Sequence, residues 1–343
     1  MALSRRAFLS TVGALVVGGA GYELSRLHPV ALSSVNSSLS GASLAPETTL
    51  PRFITPNEEF FRIDTAFDSI PKIDADTWTL RIHGMVDKEA TLNMADIARL
   101  PQVEHVITVG CVSNPVGGDL IGTAKWGGVL LADVLRLAGV HADAQQLVSR
   151  SHDGWTCGSP VNALMDGRTA MLATTMNGVP LSAKHGYPVR MVVPGLFGYV
   201  SATKWLTEME LTTWDAFDAY WVQNGWAKQA PMLSSSRIDA PRDSSQVRSQ
   251  ASTRIGGFAW APRSGVRTVQ VRVDGGEWND AVIGQHDTSD AWAEWSWNWT
   301  PEIGQHQLEV RCIDADGIAQ DENIRPTEPS GATGLHSITV QVA

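Results

Sequence analysis

Past Trp260 the chain alternates in twos. Val269, Val271 and Val273 are spaced by polar residues up to Asp274-Gly275-Gly276, Trp295, Trp297 and Trp299 repeat the pattern, and Leu308, Val310 and Cys312 repeat it before Asp314-Ala315-Asp316-Gly317. A period of two puts every apolar side chain on one face of a strand, so each run must find a covering sheet. Asp-Gly and Gly-Gly steps are hairpin signals, because they accept positive φ with little steric penalty. Several short strands separated by such turns predict a β-sandwich of immunoglobulin type over residues 236–343. The paired cysteines of antibody domains are missing, so the expectation concerns architecture alone. Six of the thirteen tryptophans lie at or after Trp260, which fits a core of its own there.

Residues 51–215 mix two periods. Trp78, Leu80 and Ile82 alternate as a half-buried strand closed by His83-Gly84, and a helix is expected over residues 93–100. Residues 103–109 are rich in β-branched side chains and end at Gly110-Cys111, so the cysteine stands where a strand gives way to a loop. Leu130, Leu131, Val134, Leu135 and Ala138 recur at helical spacing until Gly139 stops them. Further strands are expected over residues 146–151, 169–175, 189–193 and 204–212. Strands and helices without regular alternation predict an α+β domain. Residues 216–235, aromatic and then polar, read as the connection between the two domains.

At the other end, Ser4-Arg5-Arg6-Ala7-Phe8-Leu9 precedes an uncharged stretch through residue 22. Residues 1–30 resemble a twin-arginine signal, with a retained anchor as the alternative, and the stretch is short of the ~20 apolar residues that span a bilayer. Export to the periplasm or the outer face of the cytoplasmic membrane follows as an expectation. Residues 31–50, rich in Ser, read as a flexible linker. Lys and Arg number 26 against 36 Asp and Glu, and the formal charge of -10 argues against nucleic acid or an anionic membrane surface as partner. Cys111, Cys157 and Cys312 are too few and too scattered for a disulfide framework. His152 near Cys157 lacks the further ligands that zinc requires, so no zinc site is expected, and Cys157 and Cys312 read as buried thiols.

Cys111 has more informative neighbours. The run Thr108-Val109-Gly110-Cys111-Val112-Ser113-Asn114-Pro115-Val116-Gly117-Gly118-Asp119-Leu120-Ile121-Gly122 is followed by Ala124-Lys125-Trp126-Gly127-Gly128-Val129. It is followed in turn by His185-Gly186-Tyr187-Pro188-Val189-Arg190-Met191-Val192-Val193-Pro194-Gly195 and Lys204-Trp205-Leu206. These motifs, in this order, resemble the metal-binding region of the sulfite oxidase superfamily. The resemblance implies a molybdenum centre held by one molybdopterin and by the Cys111 thiolate, which serves as metal ligand and catalytic residue. Soft sulfur ligands suit a metal that changes oxidation state. The phosphate and polar pterin of the cofactor call for cations and donors, and the matching positions are His185, Arg190 and Lys204. Thr55-Pro56-Asn57-Glu58-Glu59-Phe60-Phe61-Arg62 is similar to the family's pterin-contacting stretch and adds Arg62, although the spacing after the aromatic pair departs from the animal pattern. Asp153, in the Asp153-Gly154 loop, is a candidate catalytic residue facing the metal pocket. Tyr220, Trp221 and Trp226 are candidates for the pocket mouth, and Trp205 reads as core.

The resemblance implies two-electron oxygen-atom transfer on a small substrate, as in sulfite oxidases, with a C-terminal domain that makes a homodimer. Haem attachment and iron–sulfur cysteine patterns are absent from the sequence, so electrons would pass to an external partner such as a cytochrome. The position five after the metal cysteine, an arginine in typical family enzymes, is Val116, which brings reduction of a sulfoxide or another oxo compound into consideration. A non-catalytic exported binding module and a membrane-tethered electron-transfer subunit are the remaining alternatives.

Overall fold

The computed structural model describes residues 50–66 and 69–343. The expected signal, and the expected linker up to residue 49, lie outside the described residues. No helix among those described is long and apolar enough to cross a membrane.

The front half is built from two five-stranded sheets. One runs in the order Ala90–Asn93, Thr79–Gly84, Leu206–Thr212, Gln146–Ser151, Thr156–Pro160, with a single parallel pair that sets Arg81 opposite Glu208. The other runs Gln102–Gly110, Ile121–Leu130, Met171–Met176, Val179–Pro180, and Arg190–Val192 joins it on Met171–Met176. Among the described residues the α-helices are few and short: Met94–Arg99, Leu131–Arg136 and Val161–Met165. The α+β expectation is therefore met only loosely, and strands dominate. Asn93 starts the first helix with a capping box: its side chain accepts from Asp96 N while Asp96 accepts from Asn93 N. The helical run expected from Leu130 is shorter than its spacing suggested, because Leu130 is the last residue of a strand that turns directly into the helix.

Strand Ile121–Leu130 is legible only in three dimensions, since its glycines weaken the strand signal. A side chain at Gly128 would lie 2.0 Å from the Leu172 carbonyl oxygen, and one at Gly122 would lie 2.9 Å from the Phe60 ring. Glycine is what lets the neighbouring strand and ring close on this one.

The sandwich has two sheets. One orders Ser235–Ala240, Thr253–Trp260, Ala293–Trp299, Val282–Ile283, and the other Gln246–Val247, His336–Val342, Gly304–Asp314, Val266–Val273, Asn279–Asp280. Ile238, Ile255 and Trp295 from the first pack with Val269, Val310 and Val340 from the second. Asp274 and Gly275, with φ of 51° and 69°, are the left-handed centre of a turn that Gly276 N closes by donating to Val273 O at 2.8 Å.

The two halves share a core. Phe258 stacks on Trp292 at 4.0 Å between ring centroids, and both belong to the apolar cluster that fills the front half. Trp292 N donates to Thr108 Oγ1 at 2.7 Å and Trp292 Nε1 to Phe53 O at 2.9 Å. Thr108 N donates to Asp290 O at 2.9 Å, and His105 pairs with the Asp290 carboxylate at 3.0 Å. These contacts hold strand Gln102–Gly110 against the sandwich along the line that leads to Cys111.

Candidate active site

Cys111 follows the last ladder residue of Gln102–Gly110, where Gly110 opposes Ile121. The loop between is closed by its own hydrogen bonds: Cys111 N donates to Leu120 O at 2.8 Å, Asn114 N to Cys111 O at 3.1 Å, and Leu120 N to Asn114 Oδ1 at 2.8 Å. The sandwich grips the same loop from outside, with Arg237 donating to Gly118 O at 2.6 Å and His336 against Gly117. Cys111 is a half-buried free thiol. Burial pushes its pKa up, with hydrogen bonds from Ser113 acting in the opposite direction.

The Cys111 loop opens on a cavity of about 110 Å3. Asp153, His185, Arg190 and Lys204 line it together with Cys111, so residues scattered over almost a hundred positions meet in one place. Arg62 does not line it. It is placed one step back, where Nε reaches Asp64 Oδ2 at 2.5 Å, and the same oxygen accepts from Lys204 Nζ at 2.5 Å. Trp205, Trp221 and Trp226 are in the wall with Trp155 and Tyr199, whereas Tyr220 is not and packs edge-on against Trp221. Val116 is not in this wall either, but borders a second crevice that also touches Cys111.

The cations are brought together by local backbone choices. Gly186 has φ +104°, and a side chain there would lie 3.0 Å from Lys204 Cα and 3.1 Å from Arg190 Cβ, so glycine lets the two cationic segments approach. Trp205, with φ 52°, spreads its ring under the Lys204 ammonium at 4.8 Å and donates from Nε1 to Ala183 O at 2.7 Å. Arg190 is buried over the Trp126 ring at 4.7 Å and donates to His185 O at 3.2 Å. No carboxylate pairs with it among the described residues, and its Nε is buried without a hydrogen-bond partner.

Burial lowers Arg190 to about 10 and Lys204 to about 8, the latter partly restored by Asp64. Burial would raise Asp64, but Arg62 and Lys204 outweigh it and hold the carboxyl below its usual range. His185 is pushed down to about 4 by burial and by the neighbouring Arg190 and Lys204. Its Nε2 lies 2.7 Å from Asn57 O, a pure acceptor, so the proton sits on Nε2 and Nδ1 keeps its lone pair. Asp153 accepts on both oxygens, from Thr65 Oγ1 at 2.8 Å and Trp155 N at 3.2 Å.

Asp64 and Tyr199 were not singled out from sequence. The signal for Asp64 was its place two residues after Arg62, and for Tyr199 its place inside the Gly195 to Lys204 segment between the motifs. Tyr199 donates its phenol proton to Ala227 O at 2.7 Å, and burial pushes its pKa up.

The residues present fit molybdenum–molybdopterin. A soft thiol borders a cavity lined largely by apolar and aromatic side chains, and a buried arginine with an unsatisfied donor faces no protein anion among those described. Cys111 would hold the metal, and Arg190, Lys204 and His185 the phosphate and pterin.

The comparisons agree with this geometry. The family described as oxidoreductase molybdopterin binding domain matches residues 67–221, and that described as bacterial Ig domain matches residues 235–340. Human mitochondrial sulfite oxidase is 28% identical over 331 residues, covering 82% of this chain and 60% of the relative, so the chain spans about 60% of the length of that protein. Chicken sulfite oxidase is 29% identical over 331 residues, covering 82% of this chain and 71% of the relative. The uncharacterized oxidoreductase YuiH of Bacillus subtilis is 31% identical over 153 residues, covering 45% of this chain and 74% of the relative. Among solved structures, the sulfane dehydrogenase SoxCD from Paracoccus pantotrophus superposes with a TM-score of 0.74 at 20% identity over 94% of each chain, a likeness of fold. With these matches and the thiol, cations and cavity in one place, the chain belongs to the sulfite oxidase superfamily of molybdopterin-binding oxidoreductases.

Proposed function

We propose that the protein is an exported molybdenum-dependent oxidoreductase that performs two-electron oxygen-atom transfer on a small substrate. One juxtaposition carries the reading: Cys111, uncharged His185, Lys204 and the unpaired Arg190 line a single cavity. When bound, the molybdenum–molybdopterin group supplies a centre that exchanges two electrons and an oxygen atom with substrate.

The chain's own residues do the rest. Cys111 gives up its thiol proton on ligation, which overcomes the upward push of burial. Arg190 and Lys204 supply the positive charge that receives phosphate, with Lys204 kept in position by Asp64. His185 stays neutral near pH 7 and keeps Nδ1 as an acceptor. Asp153 is tied by Thr65 and Trp155, so its carboxylate is oriented toward the cavity rather than free to swing. Trp155, Trp221 and Trp226 exclude water from the space around the thiol.

Three further parts of the proposal come from the sequence and the family. Arg5-Arg6 and the apolar stretch after it direct twin-arginine export to the periplasm or the outer face of the membrane. An external one-electron partner such as a cytochrome exchanges electrons with the centre, and the sandwich makes a homodimer.

Elemental analysis of protein from a cofactor-competent host tests the central claim. About one molybdenum per chain supports it, and none leaves an exported binding module. Electron paramagnetic resonance after adding sulfite, a sulfoxide or nitrate then reports which compound changes the oxidation state of the metal.

A further inference from the structure

We infer that Trp126 is a positioning residue: its ring stands where a counter-ion would and holds the Arg190 guanidinium at the cavity wall, with N–H groups left for the cofactor's phosphate. The inference rests on the reading of Arg190 as a cation that receives that phosphate.

The two cations of the cavity are held in unlike ways. Lys204 has the Asp64 carboxylate at 2.5 Å as well as the Trp205 ring at 4.8 Å. Arg190 has no carboxylate partner among the described residues, and burial is the one influence on its charge. It has the Trp126 ring, 4.7 Å from Cζ to the centroid, and one hydrogen bond from Nη1 to His185 O at 3.2 Å, while Nε is buried without a partner. A buried cation without an anion is costly, and a desolvated ring face is among the few contacts that offset the cost. A ring also differs from a carboxylate in a way that suits a phosphate site. It attracts the charge as a whole and supplies no lone pair, so it does not occupy the fork of N–H donors that a phosphate needs. A carboxylate in its place would have to be displaced by the incoming anion.

Trp126 is itself fixed. It is fully buried in strand Ile121–Leu130, opposite His105 on one side and Met176 on the other. Its Nε1 donates to Ile107 O at 3.3 Å, and Phe60 packs edge-on to it at 5.7 Å between centroids. Phe60 is also edge-on to His185 at 6.0 Å, so this aromatic pair backs two residues of the cavity wall. Across the sheet Arg190 stands opposite Ala173, and Ala173 opposite Gly128. Only small side chains therefore separate the guanidinium from the strand that carries Trp126. Trp126 does not line the cavity and acts through Arg190 alone.

The test replaces Trp126 by tryptophan bearing one to four ring fluorines, which nearly keep the shape of the ring and withdraw charge from its face. The series is made with Arg190 and with Arg190→Met, so that any packing cost of the fluorines appears in both and cancels. Denaturant unfolding of cofactor-free protein should show an extra cost in the presence of Arg190, about two- to threefold in the unfolding equilibrium per fluorine and roughly 30-fold in all. In molybdenum-loaded protein the rate of molybdenum loss on dialysis, read by elemental analysis, should rise in the same order. The same fluorines at Trp295, a buried ring of the sandwich with no described cation over it, should leave that rate unchanged. Equal costs with Arg190 and with Arg190→Met overturn the contact, and a loss rate that is flat across the series overturns the positioning role. Molybdenum held as firmly by Arg190→Met as by wild type overturns the underlying reading of Arg190, a failure seen without any change at Trp126.

Discussion

The loop that carries Cys111 is held by a residue of the sandwich, and Gly117→Ala measures how firmly. Gly117 has φ +76°, and a side chain there would lie 2.1 Å from His336 Cδ2 and 2.3 Å from its Nε2. The left-handed backbone alone costs an alanine about 1–2 kcal/mol. The ring must also move, and its Nδ1 is the acceptor for Ile238 N at 2.9 Å, so a backbone N–H at the interface loses its partner for about 1–3 kcal/mol. Together the loss is about 2–5 kcal/mol, which a domain of ordinary stability survives with a clearly lowered Tm. Denaturant unfolding of cofactor-free Gly117→Ala, His336→Ala and the double variant forms a cycle. His336→Ala removes the ring that clashes, so the glycine substitution should be cheaper in that background by about 1–3 kcal/mol. The rate at which Cys111 reacts with a thiol reagent should change in Gly117→Ala and return toward wild type in the double variant. Equal costs in both backgrounds would refute the idea that His336 braces this loop.

Three more outcomes are expected. Arg190→Met should leave cofactor-free protein as stable as wild type or more stable, because it removes a buried cation without a described carboxylate partner while keeping apolar contact with Trp126, yet it should sharply reduce molybdenum retention; a large loss of apoprotein stability would contradict this. Cys111→Ser should keep its melting temperature and lose metal-dependent turnover, since serine is a harder and less acidic ligand; full activity would remove the thiolate from the site. His185 falls from 6.5 to about 4 on folding, so its contribution to stability is complete above pH 6.5 and is lost as pH drops toward 4. In that window unfolding takes up a proton, worth up to about 1.4 kcal/mol per pH unit, and His185→Gln should flatten the pH dependence of the denaturation midpoint; an unchanged slope would mean that the imidazole is protonated in the folded protein.

What could be read in the chain depended on whether the cause was local. Strand Val266–Val273 and its turn were legible because alternation and Asp-Gly chemistry act within a few residues. Strand Ile121–Leu130 was not, since Gly122, Gly127 and Gly128 depress its local preference and are explained by Phe60, Thr175 and Leu172 from other segments. At the site, Arg190 stood out because a cation inside an apolar run needs a reason to be buried. Asp64 did not, because its meaning comes from Lys204, 140 residues further on. The α+β expectation gave too much weight to helical spacing in runs that the strands on either side cut short.

The second crevice marks the limit of such reading, and the reason is physical. Its wall takes Gly110, Cys111, Asn114, Pro115, Val116 and Ile121 from the Cys111 loop and its flanks, Phe197 from the segment after Gly195, Met232 and Leu233 from the domain connection, and Trp260 and Ala332 from the sandwich. None of these residues is unusual in its own segment, and the absence of charge becomes informative only once they surround the same space. The Phe258–Trp292 stack and the Arg237 contact with Gly118 fix the sandwich against the front half, so they also fix the shape of that space. A substitution deep in the sandwich that shifts Trp260 should therefore change the rate at which Cys111, in the same wall, reacts with a thiol reagent, and an unchanged rate would contradict the coupling.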